Sequence, residues 1–322
     1  MKILIVRFSS IGDIVLTSPV VRCLKKQMPD AELHYLTKKS YVSLLENNPY
    51  IDHLHSIEKS IDEVVEQLKK EKFHYVIDLH HNVRTLSLKR KLRVSAYSFP
   101  KENIKKWLLV NFKIDNMPDI HIVDRYFEAV KPLHVKNDLQ GIDYFIPKSA
   151  EVNLEDFGIS SSYFVFAIGG QFATKKIPKE KIVEICDKID GEVVIIGGKE
   201  DHDEAGWIAE NSKRKIQNLV GKLSLNQSAF VISKCKKIIT HDTGMMHIAA
   251  AFDKPTISIW GNTVPQLGMY SYQPQHPENV VIIEKKGLKC RPCSKIGYQA
   301  CPKKHFDCMD HDTNEIVEHI NS

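Results

Sequence analysis

Along this 322-residue chain, short apolar runs typical of strands alternate with stretches whose apolar residues have helical spacing. This alternation occurs in both halves of the chain. In the first half, the clearest strand-like runs are residues 2–6, 32–36, 74–79 and 94–99. In the second half, they are residues 163–168, 192–196, 236–240 and 256–260. Helical spacing marks residues 14–27, 61–71, 179–189, 202–212, 226–233, 245–252 and 314–320. Regular β-α alternation predicts α/β structure with parallel, doubly wound sheets.

The alternation weakens between residues 132 and 162, where Pro147, Gly158 and the serine run 160–162 are typical of a connection. We therefore predict two domains, residues 1–155 and 156–322. Open α/β sheets bind ligands at the carboxyl ends of their strands. A ligand between two such domains could be contacted by both of them.

Charge and hydropathy narrow the class of partner. The formal net charge is +5, which is too small to indicate nucleic acid but suits an anionic substrate or a membrane surface. The first apolar run is far too short for a signal peptide, and no stretch approaches the roughly 20 apolar residues of a membrane span. The sequence thus predicts a cytoplasmic protein without a transmembrane segment and without nucleic acid as partner.

Four of the seven cysteines lie close together near the end of the chain. Their pattern is Cys290-x2-Cys293-x7-Cys301-x6-Cys308, with His305 among them. Such spacing resembles a structural zinc site, although the second pair is not a tight Cys-x-x-Cys. Packed free thiols or an oxidisable set are alternatives, and we predict no catalytic metal.

Residues 7–13 join the first strand to its helix and end on Asp13, where a ligand crevice is expected. A carboxylate there could act on a ligand. It could equally satisfy free N–H groups at the start of the helix. On spacing alone, the capping role is the more ordinary interpretation.

The stretch 240–247 follows a predicted strand and opens a helix rich in alanine. Backbone N–H groups at Thr243 and Gly244 would suit an anion. Gly244 would let a phosphate approach closely, and His247 lies one turn further along the helix. We interpret this stretch as a ligand site rather than a simple cap with a packed histidine.

Residues 169–178 follow the first strand of the second domain and contain Gly170 and Lys175. A glycine-rich turn and a lysine suit diphosphate binding, although the spacing is not that of a Walker A loop. A separate basic group could contact acceptor phosphates or an anionic membrane, or could simply be a solvated face. It consists of Arg84, Lys89, Arg90, Lys91, Arg93, Lys101, Lys105 and Lys106.

Taken together, these motifs resemble glycosyltransferase family nine, the bacterial ADP-heptose lipopolysaccharide heptosyltransferases, over nearly the whole chain. Residues 3–7 with 9–13, 78–84, Lys175 before Pro178, 194–198 and 221–225 carry the resemblance. The most specific stretches are 242–247 with 249–251, Lys254-Pro255 and 261–263. Ile177 departs from the family, which often has an aromatic residue before this proline.

The resemblance implies a GT-B fold of two Rossmann-like domains facing a central cleft, with an inverting transfer of heptose from ADP-heptose to the Kdo or heptose of the lipopolysaccharide inner core. Asp13 matches the general base, and Lys175 would stabilise the leaving diphosphate without a cofactor. Donor contacts would come from Gly170, Lys175, Asp242, Thr243, Gly244, His247 and Thr263. Acceptor contacts would come from Ser9, Ser10, Gly12 and Arg84, at the inner membrane surface.

Two alternatives keep the same fold. One is a transferase that uses another nucleotide sugar, because the sugar-binding residues cannot be read from the sequence. The other is a non-catalytic protein that binds a nucleotide sugar or a glycan. The presence of both Asp13 and Lys175 argues against an inactive site.

Overall fold

A computed structural model describes residues 1–322 and divides the chain into two compact units. The first unit contains residues 1–101 and 120–145, and the second contains residues 102–119 and 146–322. The helical segment 102–119 thus belongs with the second unit although it interrupts the first in sequence. The predicted boundary after residue 155 falls inside the second unit.

The first unit is built on one five-stranded, wholly parallel sheet in the order β3-β2-β1-β4-β5. Its strands are β1 (Lys2–Val6), β2 (Glu32–Lys38), β3 (His53–Ile57), β4 (Tyr75–Asp78) and β5 (Ser95–Ser98). Its helices are α1 (Ile11–Val15), α2 (Ser18–Gln27), α3 (Val65–Lys70), α4 (Val83–Leu92) and α6 (Ile122–Phe127). The helix α5 (Asn103–Phe112) lies between α4 and α6 in sequence and belongs to the second unit.

The predicted helix 14–27 is divided in two, as α1 and α2. Thr17 is the N-cap of α2 and Pro19 occupies its first turn, where a missing N–H costs nothing. Buried Arg22 on α2 pairs with Asp138 at 2.8 Å and with Asp143. These ion pairs fasten the segment 138–143 to α2 of the first unit.

The second unit has a six-stranded parallel sheet in the order β11-β10-β9-β6-β7-β8. Its strands are β6 (Tyr163–Ala167), β7 (Glu192–Ile196), β8 (Ile216–Asn218), β9 (Ile238–His241), β10 (Thr256–Trp260) and β11 (Val280–Glu284). Its helices are α5 (Asn103–Phe112), α7 (Lys179–Lys188), α8 (His202–Asn211), α9 (Leu225–Lys234), α10 (Gly244–Ala250) and α11 (Thr313–Asn321). The predicted fold class, two doubly wound α/β domains, is confirmed.

Each sheet is buried at its centre, as expected of parallel sheets covered on both faces. Every residue of β6 and β10 is buried, as are residues 3–6 of β1. On α5, Leu109 packs against Val264 and Leu267 of the second unit. That contact explains why the inserted helix groups with the second unit.

Candidate functional site

The sheet of the first unit reverses its strand order between β1 and β4, and the loops after these strands meet at the carboxyl edge. Such a switch point is where open α/β sheets bind ligands. The loop after β1 carries Asp13, and the loop after β4 carries Leu79. Arg7 joins them by donating a hydrogen bond from Nη1 to the Leu79 carbonyl at 2.5 Å.

Asp13 lies in the first turn of α1, with both carboxylate oxygens fixed. Oδ1 is 2.6 Å from Nη2 of Arg7, while Oδ2 accepts hydrogen bonds from the Ser10 hydroxyl at 2.7 Å and the Ser10 N–H at 3.2 Å. The side chain keeps 22% of its surface exposed. The Asp13 carboxylate therefore combines a fixed orientation with partial exposure to solvent.

Arg7, which the sequence indicated only as part of a motif, pairs with the candidate residue Asp13. Its guanidinium is nearly buried and also donates from Nε to the Ser9 carbonyl at 2.7 Å. Burial alone would lower the pKa of Arg7, but the neighbouring Tyr126 and Asp13 outweigh burial and raise it. Arg7 therefore holds Asp13 as a fixed, charged partner.

The predicted acceptor residues occupy this same edge. Ser9 is partly exposed, Ser10 is exposed, and Gly12 is buried inside α1. The Arg84 guanidinium lies over the Phe8 ring, 5.5 Å from its centroid. Other members of the basic group pair with carboxylates: Lys89 with Asp78, Lys91 with Asp62 and Lys105 with Glu102.

In the second unit, the strand order reverses between β6 and β9, so the loops after β6, β9 and β10 lie side by side. Lys175 belongs to the first loop, Asp242 to the second and Thr263 to the third. Asp242 Oδ2 lies 2.6 Å from Lys175 Nζ and accepts a hydrogen bond from the Thr263 hydroxyl at 2.8 Å. The Asp242 carboxylate thus contacts two other predicted donor residues, Lys175 and Thr263.

The other predicted donor residues lie in the first two of these loops and in α10, which follows Asp242. A Cβ atom added to Gly170 would lie 3.6 Å from Thr243 Cγ2 and 3.2 Å from Lys176 Cγ, so glycine allows a close approach of the first two loops. Thr243 is the N-cap of the seven-residue helix α10, which begins at Gly244. His247 is buried, one turn into that helix.

His241 and Lys176 are the sequence neighbours of Asp242 and Lys175, and their side chains have other partners. His241 is fully buried at the end of β9, where its Nε2 accepts a hydrogen bond from the Ile177 N–H at 3.0 Å. Lys176 turns the other way from Lys175 and pairs with Asp201 at 2.9 Å and with Glu204. Only Lys175 of the two lysines therefore points to the Asp242 network.

Asn262 lies between Gly261 and Thr263, and its side-chain amide has an environment that the sequence could not reveal. It is buried, and neither atom of its side-chain amide has a hydrogen-bond partner. Burying an unsatisfied amide costs roughly 1–3 kcal/mol. The sequence motif included Asn262 but gave no indication of this cost.

Acid should destabilise the fold. Burial lowers the pKa of His241 to about 3 and those of His55, His80 and His311 to about 4. In the unfolded chain these groups bind protons below about pH 6.5. Unfolding therefore takes up protons in acid, and the free energy of unfolding should fall from about pH 6.5 towards pH 4.

Urea denaturation at about pH 7.5, 6.0 and 5.0 measures this effect, with His241→Gln as the matched variant that removes one titrating group. That variant should show a shallower loss of stability with acid. Equal stability of the parent protein at all three pH values would contradict the prediction.

Away from these loops, Glu32, His34 and His53 bring ligand atoms within 4.8 Å of one another. They lie at the opposite edge of the first sheet, where β2 and β3 begin. Each imidazole Nε2 is 3.0 Å from Glu32 Oε1, and the Lys2 ammonium is 3.2 Å from the same atom. These distances describe a hydrogen-bonded group next to a cation rather than part of the predicted site.

None of the helices combines the length and the apolar composition that a membrane-spanning helix requires. Among characterised proteins, the chain is 24% identical to lipopolysaccharide heptosyltransferase 1 of Campylobacter coli, covering 82% of this chain and 84% of that protein. It is 22% identical to lipopolysaccharide heptosyltransferase 1 of Pseudomonas aeruginosa, covering 92% and 86%.

Solved structures of heptosyltransferases share the fold. The E. coli ADP-heptose lps heptosyltransferase II matches with a TM-score of 0.76 and 19% identity, covering 100% of this chain and 98% of that one. The E. coli heptosyltransferase WaaC with ADP matches with a TM-score of 0.69 and 20% identity, covering 99% of both. The model of glycosyltransferase family 9 (heptosyltransferase) matches residues 61–300, more than half of the chain. The chain therefore belongs to glycosyltransferase family 9 and is a glycosyltransferase.

Proposed function

We propose that this protein transfers heptose from ADP-heptose to the Kdo or heptose of the lipopolysaccharide inner core, with inversion at the anomeric carbon. The observation that carries the proposal is the network in which Asp242 holds both Lys175 and Thr263 at the switch point of the second sheet. Membership of family 9 and the names of its relatives support heptose as the sugar.

Asp13 is proposed as the general base. It removes the proton from the acceptor hydroxyl as that oxygen attacks the anomeric carbon, and the bond to the diphosphate breaks. The ion pair to Arg7 and the hydrogen bonds from Ser10 keep the carboxylate in one orientation. A fixed base avoids the cost of reorganisation during the reaction.

Lys175 is proposed to stabilise the departing ADP. Its ammonium is held by Asp242 but keeps 17% of the side chain exposed, so it can donate to a diphosphate oxygen. Thr243, Gly244 and His247 would contact the same nucleotide, and Gly170 would let it approach the loop after β6. Positive charge from the chain itself offsets the charge that develops on the leaving group.

The acceptor is proposed to bind at the edge of the first unit, against Ser9, Ser10, Gly12 and Arg84. Arg84 is the cation of that set and would pair with a carboxylate or phosphate of the inner core. Such an acceptor lies at the inner membrane surface, so a transient peripheral association is part of the proposal.

A panel of ADP, UDP, GDP and CMP tests the donor. A ligand that binds only the folded state raises the melting temperature by mass action. ADP should give the largest shift, and the shift should disappear in His247→Ala. A larger shift with UDP or GDP would reject ADP-heptose while leaving the family assignment intact.

Product formation separates a transferase from a binding protein. Purified protein with ADP-heptose and a heptose-deficient core acceptor should release ADP and yield an acceptor heavier by one heptose in mass spectra. ADP binding without product from any nucleotide sugar would instead favour a non-catalytic binding role.

A further inference from the structure

The amino ends of β1, β2 and β3 bring polar side chains together, away from the loop that carries Asp13. Parallel pairing sets Lys2 beside Glu32 and His34 beside His53. Alternate residues of one strand, and residues in register on neighbouring strands, share a face of the sheet. Strand register therefore places these four side chains on one face, at the edge of the sheet opposite the proposed base.

The Glu32 carboxylate and two of the imidazoles have the spacing of metal ligands. Glu32 Oε1 lies 3.0 Å from Nε2 of His34 and 3.0 Å from Nε2 of His53, and the three ligand atoms all lie within 4.8 Å of one another. Zinc binds imidazole nitrogen and carboxylate oxygen at about 2.0–2.2 Å. An ion at that distance from two atoms 3.0 Å apart makes an angle of about 90° with them, and a widening of about 0.4 Å gives the tetrahedral angle.

The His34 ring is held in place on its other side. Only 1% of the residue is exposed, its Nδ1 lies 2.8 Å from Nε2 of His55, and the Phe73 ring packs against it edge-on with centroids 4.9 Å apart. Metal-bound histidines usually form a hydrogen bond through the nitrogen that does not face the metal. When its proton is on Nδ1, His34 donates to His55 and turns an electron pair towards Glu32, an arrangement that a bound cation makes favourable.

Charge and exposure also suit a cation. Lys2 Nζ is 3.2 Å from Glu32 Oε1 but 2.6 Å from Glu71 Oε2, so Glu71 can hold the ammonium when Glu32 binds an ion. With neutral imidazoles, two carboxylates and one ammonium give the group a net charge of −1. The His53 side chain is 54% exposed and that of Glu32 is 36% exposed, which leaves a path from solvent and room for a water ligand.

We propose that Glu32, His34 and His53 bind one Zn²⁺ ion, with water as the fourth ligand, and that the ion fastens the edge strand β3 to β2. Two imidazoles and one carboxylate are a known ligand set for zinc. Because β3 pairs only with β2, an ion bound to its first residue, His53, holds an end that is prone to open. The site does not rest on the proposed function, since it lies at the other edge of the first sheet from Asp13.

The clustered cysteines of the second unit provide no comparable group. They are free thiols, and their sulfurs do not form a set of three ligand atoms within 4.8 Å. Zinc at Cys290, Cys293, Cys301 and Cys308 stays a prediction from their spacing, so a test of the histidine site needs a cysteine variant as a control.

Calorimetric titration of the full-length protein with Zn²⁺, after treatment with a chelator, tests the site. We expect one Zn²⁺ site with a Kd of about 1 μM or tighter, weakened at least about 100-fold in His53→Ala and in Glu32→Gln, and no binding of Mg²⁺ there. Both altered side chains are partly exposed, and circular dichroism of the metal-free variants should match that of the parent protein.

His276→Ala and Cys301→Ser are the controls. His276 lies 3.2 Å from Glu278 on the surface of the second unit but belongs to no group of three ligands. Both controls should bind Zn²⁺ at the histidine site within about twofold of the parent affinity. No Zn²⁺ binding by the parent protein, or binding that is lost in Cys301→Ser and kept in His53→Ala, would overturn the proposal.

Lys2→Gln tests Glu32 as a ligand without removing one. Loss of the ammonium 3.2 Å from Glu32 Oε1 removes its repulsion of the ion, so Zn²⁺ should bind at least about threefold more tightly. Equal or weaker binding would contradict the assignment of Glu32.

Hydrogen exchange followed by mass spectrometry tests the cross-link. One equivalent of Zn²⁺ should slow exchange at least about fivefold in peptides covering residues 32–38 and 53–57 of the parent protein, with no effect in His53→Ala. Residues 216–218, in the edge strand β8 of the second unit, are the internal control and should exchange equally with and without Zn²⁺. Unchanged exchange in the first unit despite Zn²⁺ binding would overturn the cross-link.

Discussion

Replacing Asp13 with asparagine is expected to lower kcat about 10²- to 10⁴-fold, the range for removal of a general base. The amide has nearly the same size but cannot take a proton from the acceptor hydroxyl. ADP affinity should change less than about twofold, since the proposed ADP contacts belong to the second unit. Initial rates of ADP release and calorimetric titration with ADP measure the two quantities.

Because Asp13→Asn leaves the buried Arg7 without its carboxylate, the variant also loses stability, and an unfolded protein would imitate an inactive one. Two further variants control for this. Asp13→Glu keeps the charge and should retain partial activity, and Ser10→Ala removes one hydrogen bond to Oδ2 and should lose at most about tenfold. Full turnover by a folded Asp13→Asn enzyme would eliminate Asp13 as the base.

Replacing Lys175 with alanine is expected to reduce kcat/KM about 10²- to 10³-fold, as for loss of one group that stabilises developing charge. Two effects combine in this variant. The ammonium no longer reaches the diphosphate, and the Asp242 carboxylate loses its counter-ion beside the anionic ligand. ADP should therefore also bind more weakly, in contrast to Asp13→Asn.

Lys179→Ala is the matched control, since Lys179 is close in sequence but lies over the Trp207 ring, 4.1 Å from its centroid. It should retain activity within about twofold, as for a half-buried cation that contacts an aromatic ring and no ligand. Steady-state rates with varied donor, together with ADP titration, separate the two lysines. Equal loss of activity in both variants would contradict the specific role proposed for Lys175.

Strand positions could be predicted from the sequence wherever the strand is buried on both faces. All eight predicted strands are present, with ends displaced by at most two residues. The strands that escaped prediction are β3, β8 and β11, and each lies at or near an edge of its sheet. His53–Ile57 and Ile216–Asn218 lack a continuous apolar run, whereas Val280–Glu284 has one that was not recognised as a strand.

Candidate site residues could be predicted because ligand loops follow the strands of doubly wound sheets, and strand ends are visible in the sequence. Asp13, Lys175 and Asp242 were identified in this way together with the family resemblance. Neighbouring residues such as Arg7 and Asn262 were not identified. From the sequence, Arg7 is the end of a strand and Asn262 is part of a loop, and only the structure shows that both are buried.

The sequence by itself determined the two α/β units and the loops that carry chemistry, because apolar periodicity is set by which side chains face a core. Only the tertiary structure decided which loops meet. Lys175, Asp242 and Thr263 are far apart along the chain and come together because β9 lies between β6 and β10. Strand order, like the grouping of residues 102–119 with the second unit, depends on packing between distant segments, which local periodicity does not record.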